Sequence, residues 1–325
     1  MLPVLEQSWL LTLSSGGRLL PWLGPAVRGL VARRFKARVC RFTAREQNTS
    51  RLYCKGCPNM AGCPYGESIE PDPPTDRVVF SGQDDSIRPL VIAPAFPAPN
   101  EGRVGDRLAL KLLFIGTTAA QHATEFGQAL AEAGADRLTG LGPDHVMFTP
   151  TLVTECRLTP NLAVNPADPQ PPWPRLRVVL NAPLIARKSS DAGRTLLDQP
   201  SFEDLFGASL RTLGRLNAYY ADRLPDDVFT MLKATSRGVT LVESRYRVYS
   251  QGTFSNRRLE RGTIRGVIGE AVFADVPTTL ARWLMWGGAL HVGTSRVSGA
   301  GGWEVFWGNR DARLDSHSGV WQRLS

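Results

Sequence analysis

The sequence predicts an α+β chain in which the order β-α-β-β-α-β occurs twice. Three observations carry this expectation. Pro160, Pro166, Pro169, Pro171, Pro172 and Pro174 crowd one stretch and split the 325 residues into halves of similar length. The second half alternates β-branched, strand-like segments with two stretches of helical periodicity. The first half repeats the same order, with one irregular, cysteine-bearing interruption. The order is that of a ferredoxin-like (RRM-like) domain. The expected boundaries are 1–160 for the first domain, with an insertion over about 36–88, then a proline-rich linker over 161–174 and a second domain over 175–325.

The elements justify themselves in turn. Leu5 to Leu13 reads as a strand. Gly24 to Phe35 reads as a helix, with Ala26, Val27, Leu30 and Val31 on one side. Pro89 to Ala93 and Arg107 to Phe114 follow as strands, Thr118 to Ala133 as a helix, and His145 to Arg157 as the closing strand. In the second half, Arg175 to Arg187 is a strand rich in Val, Leu and Ile. Ser201 caps a helix to Tyr220, on which Phe202, Leu205, Phe206, Leu210, Leu213 and Leu216 recur at helical spacing. Gly238 to Ser250 and Gly262 to Phe273 form a hairpin, Pro277 to Trp286 a short helix with proline in its first turn, and Trp303 to Trp307 the last strand.

Composition narrows the partners. Hydrophobic residues make up 42% and charged residues 21%, enough apolar material for real cores. A net charge of +8 favours a polyanion or an acidic membrane surface. No stretch of 18 apolar residues appears, so no membrane helix is expected. The leucine-rich start has no basic region before it and is interrupted by Arg18; it reads as folded core, and a cytoplasmic location is expected.

Four stretches carry candidate chemistry. The segment from Gly287 to Gly302 (GGALHVGTSRVSGAGG) joins the last helix to the last strand. It reads either as a flexible loop or as a backbone cradle for phosphate, with Gly293, Thr294, Ser295, Ser298 and Gly299 as contacts and the Arg296 fork as a cation. A basic run contains Arg28, Arg33, Arg34, Lys36 and Arg38, with few acids nearby. A second basic group, Arg245, Arg247, Arg257, Arg258 and Arg261, lies on the hairpin, interleaved with Tyr246, Tyr249 and Phe254. Arginine beside aromatic rings suits single-stranded RNA. Finally, Cys40, Cys54, Cys57 and Cys63 could form a four-thiolate site for structural zinc, with an iron–sulfur cluster as the less favoured option, or could be free thiols. Cys156 stands apart and is expected to be buried. No Ser-His-Asp pattern, HExxH or carboxylate pair is present, which argues against hydrolases of those classes.

Three of these stretches resemble a known family. Cys54 to Pro74 (CKGCPNMAGCPYGESIEPDPP), Gly24 to Leu30 (GPAVRGL) and Leu290 to Gly302 (LHVGTSRVSGAGG) are similar to segments of the CRISPR repeat-processing endoribonucleases of the RAMP superfamily. The resemblance implies tandem ferredoxin-like domains and binding of CRISPR repeat RNA. It also implies cleavage of the precursor without a metal, a ribose 2′-hydroxyl attacking the adjacent phosphate to leave a 2′,3′-cyclic end. No cofactor for catalysis is implied; other subunits of a CRISPR effector complex are further implied partners. Many members carry a catalytic histidine in the first helical region, whereas here no histidine precedes His122. His291 is therefore the candidate acid or base, and Arg34 and Lys36 the candidate cations for phosphorane charge. The alternative is a non-catalytic RAMP subunit that holds crRNA.

Overall fold

Strand β1 (Val4–Leu13) alternates buried and half-buried side chains, as a strand with one face on a core must. It runs through the first of two compact units, which comprises Met1–Thr159 and two short later segments; the second holds most of the rest. The computed structural model describes residues 1–42, 54, 57–71, 86–163, 173–190, 193–255, 260–316 and 320–324.

In the first unit β1 is flanked by β5 (Arg107–Ile115) and β6 (Phe148–Leu158), with β3 (Leu90–Pro94) beyond β5, every neighbour antiparallel. The order β3-β5-β1-β6 is that of a ferredoxin-like sheet. Two-residue strands β2 (Gly17–Arg18) and β4 (Glu101–Gly102) form a separate ribbon. Helix α1 (Gly24–Val39) begins with proline in its first turn and ends with Lys36 and Arg38, which suit the negative end of its dipole. It runs four residues beyond the expected end at Phe35, and Val27, Val31 and Phe35 form its continuous buried stripe. A short helix α2 (Pro64–Ile69) follows, then α3 (Thr117–Gln121) and α4 (Ala123–Ala135). The expected single helix over 118–133 is thus broken at His122, whose ring reaches the Glu67 carboxylate at 3.3 Å. Phe35, Phe114 and Phe126 close the core, with ring centroids 5.2 and 5.6 Å apart.

The second unit repeats the order with additions. Strand β7 (Trp173–Leu184) lies between β11 (Glu260–Val276) and β12 (Trp303–Gly308); β10 (Thr240–Ser255) pairs outside β11 and β13 (Gln322–Arg323) outside β12. Helices α5 (Phe202–Tyr220) and α7 (Thr278–Ala289) belong to the repeat. Pro277 caps α7 from outside, where the sequence placed it in the first turn. Strands β8 (Arg187–Ser190) and β9 (Gly193–Leu196) and helix α6 (Asp226–Ser236) went unforeseen. Helix α6 buries Leu232 and packs Phe229 on Trp283, 6.5 Å between centroids. Both units are therefore ferredoxin-like, as the sequence predicts. Trp173 and Pro174 already belong to β7, so the linker is shorter at that end; residues 164–172 lie outside the described residues.

Register sorts the side chains of each sheet. On β7, Leu176, Val178 and Leu180 face the helices, while Arg175, Arg177 and Val179 face away. That second face is closed by the chain after β12. Ala312, Leu314 and Trp321 are buried with Val272, and Phe306, Val242 and Val320 pack against them. Leu314 donates its backbone N–H to Glu243 at 3.2 Å, Asp315 pairs with Arg245, and Arg177 lies over the Trp321 ring.

Candidate nucleic-acid interface

The glycine-rich segment is not a loose loop. Gly287 and Gly288 belong to α7, where hydrogen atoms in place of side chains permit close packing: a Cβ on Gly287 would sit 2.0 Å from Ser209 Oγ, and one on Gly288 2.3 Å from Trp303. From Leu290 the chain makes a tight turn against the end of β7. Thr294 N–H donates to the Ile185 carbonyl at 3.0 Å and Gly301 N–H to the Pro183 carbonyl at 3.0 Å. Val292 N–H donates to the Gly301 carbonyl at 3.0 Å, closing the turn's two ends. Gly301 has φ 70°, and a Cβ there would meet the Val292 carbonyl oxygen at 1.9 Å. Arg296 to Ser298 form one turn of 3-10 helix.

The candidate residues of this segment fall into two groups. Gly293 and Thr294 are exposed and Ser295 half-exposed. His291, Arg296, Ser298 and Gly299 are buried. Arg296 is 5% exposed and donates to the Leu290 carbonyl at 3.1 Å. His291 is 7% exposed, its Nδ1 3.1 Å from the Ala300 carbonyl. A carbonyl only accepts, so Nδ1 carries the proton. The expectation of a flexible loop is corrected: the turn's backbone groups are spent on one another and on β7, leaving a small exposed tip.

The basic run on α1 is divided in the same way. Arg34 pairs with Asp136, a carboxyl held down at about 2 by the Thr139 hydroxyl and the Leu138 N–H and, to a lesser degree, by Arg34. Arg38 pairs with Glu132 and Gln128 of α4. Lys36 lies over the Tyr65 ring, 5.3 Å from its centroid. Arg28 is half-buried. Arg33 is exposed and makes no ion pair among the described residues. These acids lie about a hundred residues away, so the local excess of positive charge overstates what is free for a ligand.

On the hairpin, Arg247 is exposed on β10, whereas Arg245 is held in a fork by Asp315, two bonds of 2.7 Å, and by Glu243. The Tyr246 hydroxyl is buried, and burial pushes its pKa up, so that ring faces the core side. Arg257 and Arg258 lie outside the described residues; Arg261 lies on β11.

Cys54 and Cys57 share a turn closed by Cys57 N–H donating to the Cys54 carbonyl at 2.8 Å. Cys63 caps α2, its sulfur accepting from Gly66 N–H at 3.5 Å. Burial pushes the Cys54 thiol up to about 12, helped by Glu70 and opposed by Lys36. Among the described residues no three His, Cys, Asp or Glu are arranged as a metal-binding group. Cys156 is exposed on edge strand β6, contrary to the expected burial. Its neighbours from Thr151 to Arg157 are exposed too, because β6 pairs only with β1. The sequence reading also passed over His145, which is exposed in the turn before β6 at φ 53°; Gly140 and Gly142 were the available signal of that turn.

Among the described residues no helix is long and apolar enough to cross a membrane. Residues 2–165 match a family model of an N-terminal domain, AF_1859_N, and residues 178–303 match that of the CRISPR-associated endoribonuclease Cas6. No curated protein matches the chain. A solved Cas6 product complex is similar over 91% of this chain and 98% of its own, at 16% identity and a TM-score of 0.53. Thermus thermophilus Cas6 is similar over 92% and 97%, at 13% identity and a TM-score of 0.45. A partial Cas6-RT-Cas1–Cas2 complex is similar over 100% of this chain and 50% of its own, at 11% identity and a TM-score of 0.53. The two matched segments give the chain an AF_1859_N N-terminal domain followed by a Cas6-family segment, and the second contains the buttressed glycine turn.

Proposed function

We propose that the protein binds the repeat of a CRISPR transcript and cuts it at one phosphodiester without a metal. The ribose 2′-hydroxyl attacks the adjacent phosphorus, the bond to the 5′-oxygen breaks, and the product carries a 2′,3′-cyclic phosphate. The observation that carries this reading is the rigid glycine turn within the Cas6-like segment, which presents Gly293 and Thr294 to solvent on a buried frame. Gly293 is held at φ 77°, where a Cβ would meet the Ile185 carbonyl oxygen at 2.9 Å, so its exposed backbone is fixed in place for a phosphate to approach. Exposed Arg33 and Arg247 supply charge for the RNA backbone. Lys36 is the cation proposed for the developing phosphorane charge. Repeat RNA is the proposed partner, with other CRISPR subunits as further ones.

A second reading, a non-catalytic subunit that holds crRNA, is favoured by one observation: Arg34 and His291, two of the three catalytic candidates, are engaged within the fold. The purified protein, incubated with its cognate repeat RNA in EDTA, is expected to yield one discrete product with a cyclic phosphate end. Tight binding with no cut selects the second reading; no binding removes both. A structural zinc on Cys40, Cys54, Cys57 and Cys63 is a separate proposal. Elemental analysis finding neither zinc nor iron ends it.

A further inference from the structure

Two of the glycine turn's buried polar side chains, His291 and Arg296, are not explained by its exposed tip. His291 sits at φ 60°, a left-handed conformation unusual for a residue with a side chain. Its ring spans the turn, Nδ1–H donating to the Ala300 carbonyl nine residues on. Arg296 spans it the other way, donating to the Leu290 carbonyl six residues back. The ring also packs beside Gly302, where a Cβ would come within 2.5 Å of it. The two braces therefore tie both ends of the segment around the tip formed by Gly293 and Thr294.

We infer that His291 and Arg296 are positioning residues: they hold the 293–294 tip in the conformation that grips the RNA backbone and do not themselves touch the reacting atoms. This deepens the RNA-binding reading and rests on it. It replaces the role that the sequence suggested for His291. A general base has to reach the 2′-hydroxyl, and a ring that is 7% exposed with its Nδ1 committed to a carbonyl is better placed to lock a backbone. The bond to Ala300 requires an N–H donor at the position of Nδ1. An asparagine amide can place its NH₂ there, whereas alanine cannot. Arg296 needs the reach and planar fork of a guanidinium, which a lysine does not reproduce.

The test compares His291→Asn with His291→Ala, and Arg296→Lys with Arg296→Ala, in the full chain. Affinity for repeat RNA, the single-turnover cleavage rate at saturating protein and its pH profile are read together. His291→Ala is expected to weaken binding about tenfold, the loss of one well-placed hydrogen bond and the order it maintains, with the saturated rate within a few-fold of wild type. His291→Asn is expected to restore affinity and leave the pH profile unchanged. Arg296→Lys should weaken binding nearly as much as Arg296→Ala. If His291→Asn binds normally but cuts at least about a hundredfold more slowly, His291 is a catalytic group and the inference is overturned. Normal binding by both alanine variants overturns it as well. Hydrogen exchange at the Thr294 and Gly301 amides gives a reading without RNA: exchange should quicken in His291→Ala and not in His291→Asn. Equal exchange in both sinks the positioning role whether or not the protein binds or cuts RNA. Failure of the wild type to bind the repeat removes the functional reading alone.

Discussion

The two units share one topology and treat the two faces of their sheets differently. In each, the helices cover one face of a sheet in which the first strand lies between the third and the fourth. In the second unit the other face is sealed by the chain after β12, with Trp321, Leu314 and Ala312 packed on Val272. In the first unit the corresponding face carries a Glu6–Lys111 ion pair at 3.2 Å, half-buried Ser8, Leu10 and Thr12, and exposed Ala109 and Arg107. The lesson is that a ferredoxin-like order does not tell which sheet face a ligand can use. Neither face follows the familiar arrangement of exposed aromatics on an open RNA-binding sheet. The candidate contacts sit on a turn, a helix and a hairpin instead.

The largest test of this contrast is truncation of the seal. Trp321→Ala should cost about 3 kcal/mol in urea unfolding, because the ring is buried and its loss leaves a cavity. Leu10→Ala, on the half-open face of the first unit, should cost only about 1 kcal/mol. Equal losses would mean that the two faces are equally closed.

Glycine substitutions sharpen the same comparison with opposite signs. Gly301→Ala should destabilise the second unit by about 2 kcal/mol, since it forces a side chain to φ 70° and into the Val292 carbonyl. Gly29→Ala, at an exposed position of α1 where a Cβ meets nothing within 4 Å, should stabilise by about 1 kcal/mol through helix propensity. A loss at Gly29 in thermal unfolding would contradict the open geometry of that helix face.

The cations give a smaller and more specific effect. Arg33→Ala should lower the slope of log affinity against log salt by about 1 for any RNA sequence, while Arg38→Ala should leave the slope unchanged. A loss of slope at Arg38 would show that its pairing with Glu132 and Gln128 gives way to phosphate.

The smallest effect is electrostatic. Asp136 titrates in the folded unit at about 2, below its ordinary 3.8, through the Thr139 hydroxyl, the Leu138 N–H and Arg34. A depressed carboxyl stabilises above its unfolded pKa and loses that contribution as pH falls through the folded one. The stability difference between wild type and Asp136→Asn should therefore be constant from neutral pH to about 4 and shrink towards pH 2. A difference that persists undiminished at pH 2 would remove ionisation as its cause. The pair is only partly buried, so the whole effect should be small.

Much of the fold was legible because strand and helix periodicities are written in neighbouring residues. β1, α1, β5, α5 and β12 are within a few residues of their expected limits. Helix α6 was not, and the aromatic partner of its Phe229 is a tryptophan more than fifty residues later in the chain. The break at His122 was not either, and the ring there meets Glu67, fifty-five residues earlier.

The site divides along the same line. The sequence by itself determined where glycine, arginine and cysteine concentrate, the two domain-like repeats and the positive balance of charge. Only the tertiary structure decided which of those groups are available. Arg38 is answered by Glu132 of α4 and Arg34 by Asp136 just beyond it, Arg245 by Asp315, and Arg296 and His291 by carbonyls of their own turn. The physical reason is that a residue type fixes what a side chain can bond, while the partner it finds depends on chain segments that only folding brings within about 3 Å.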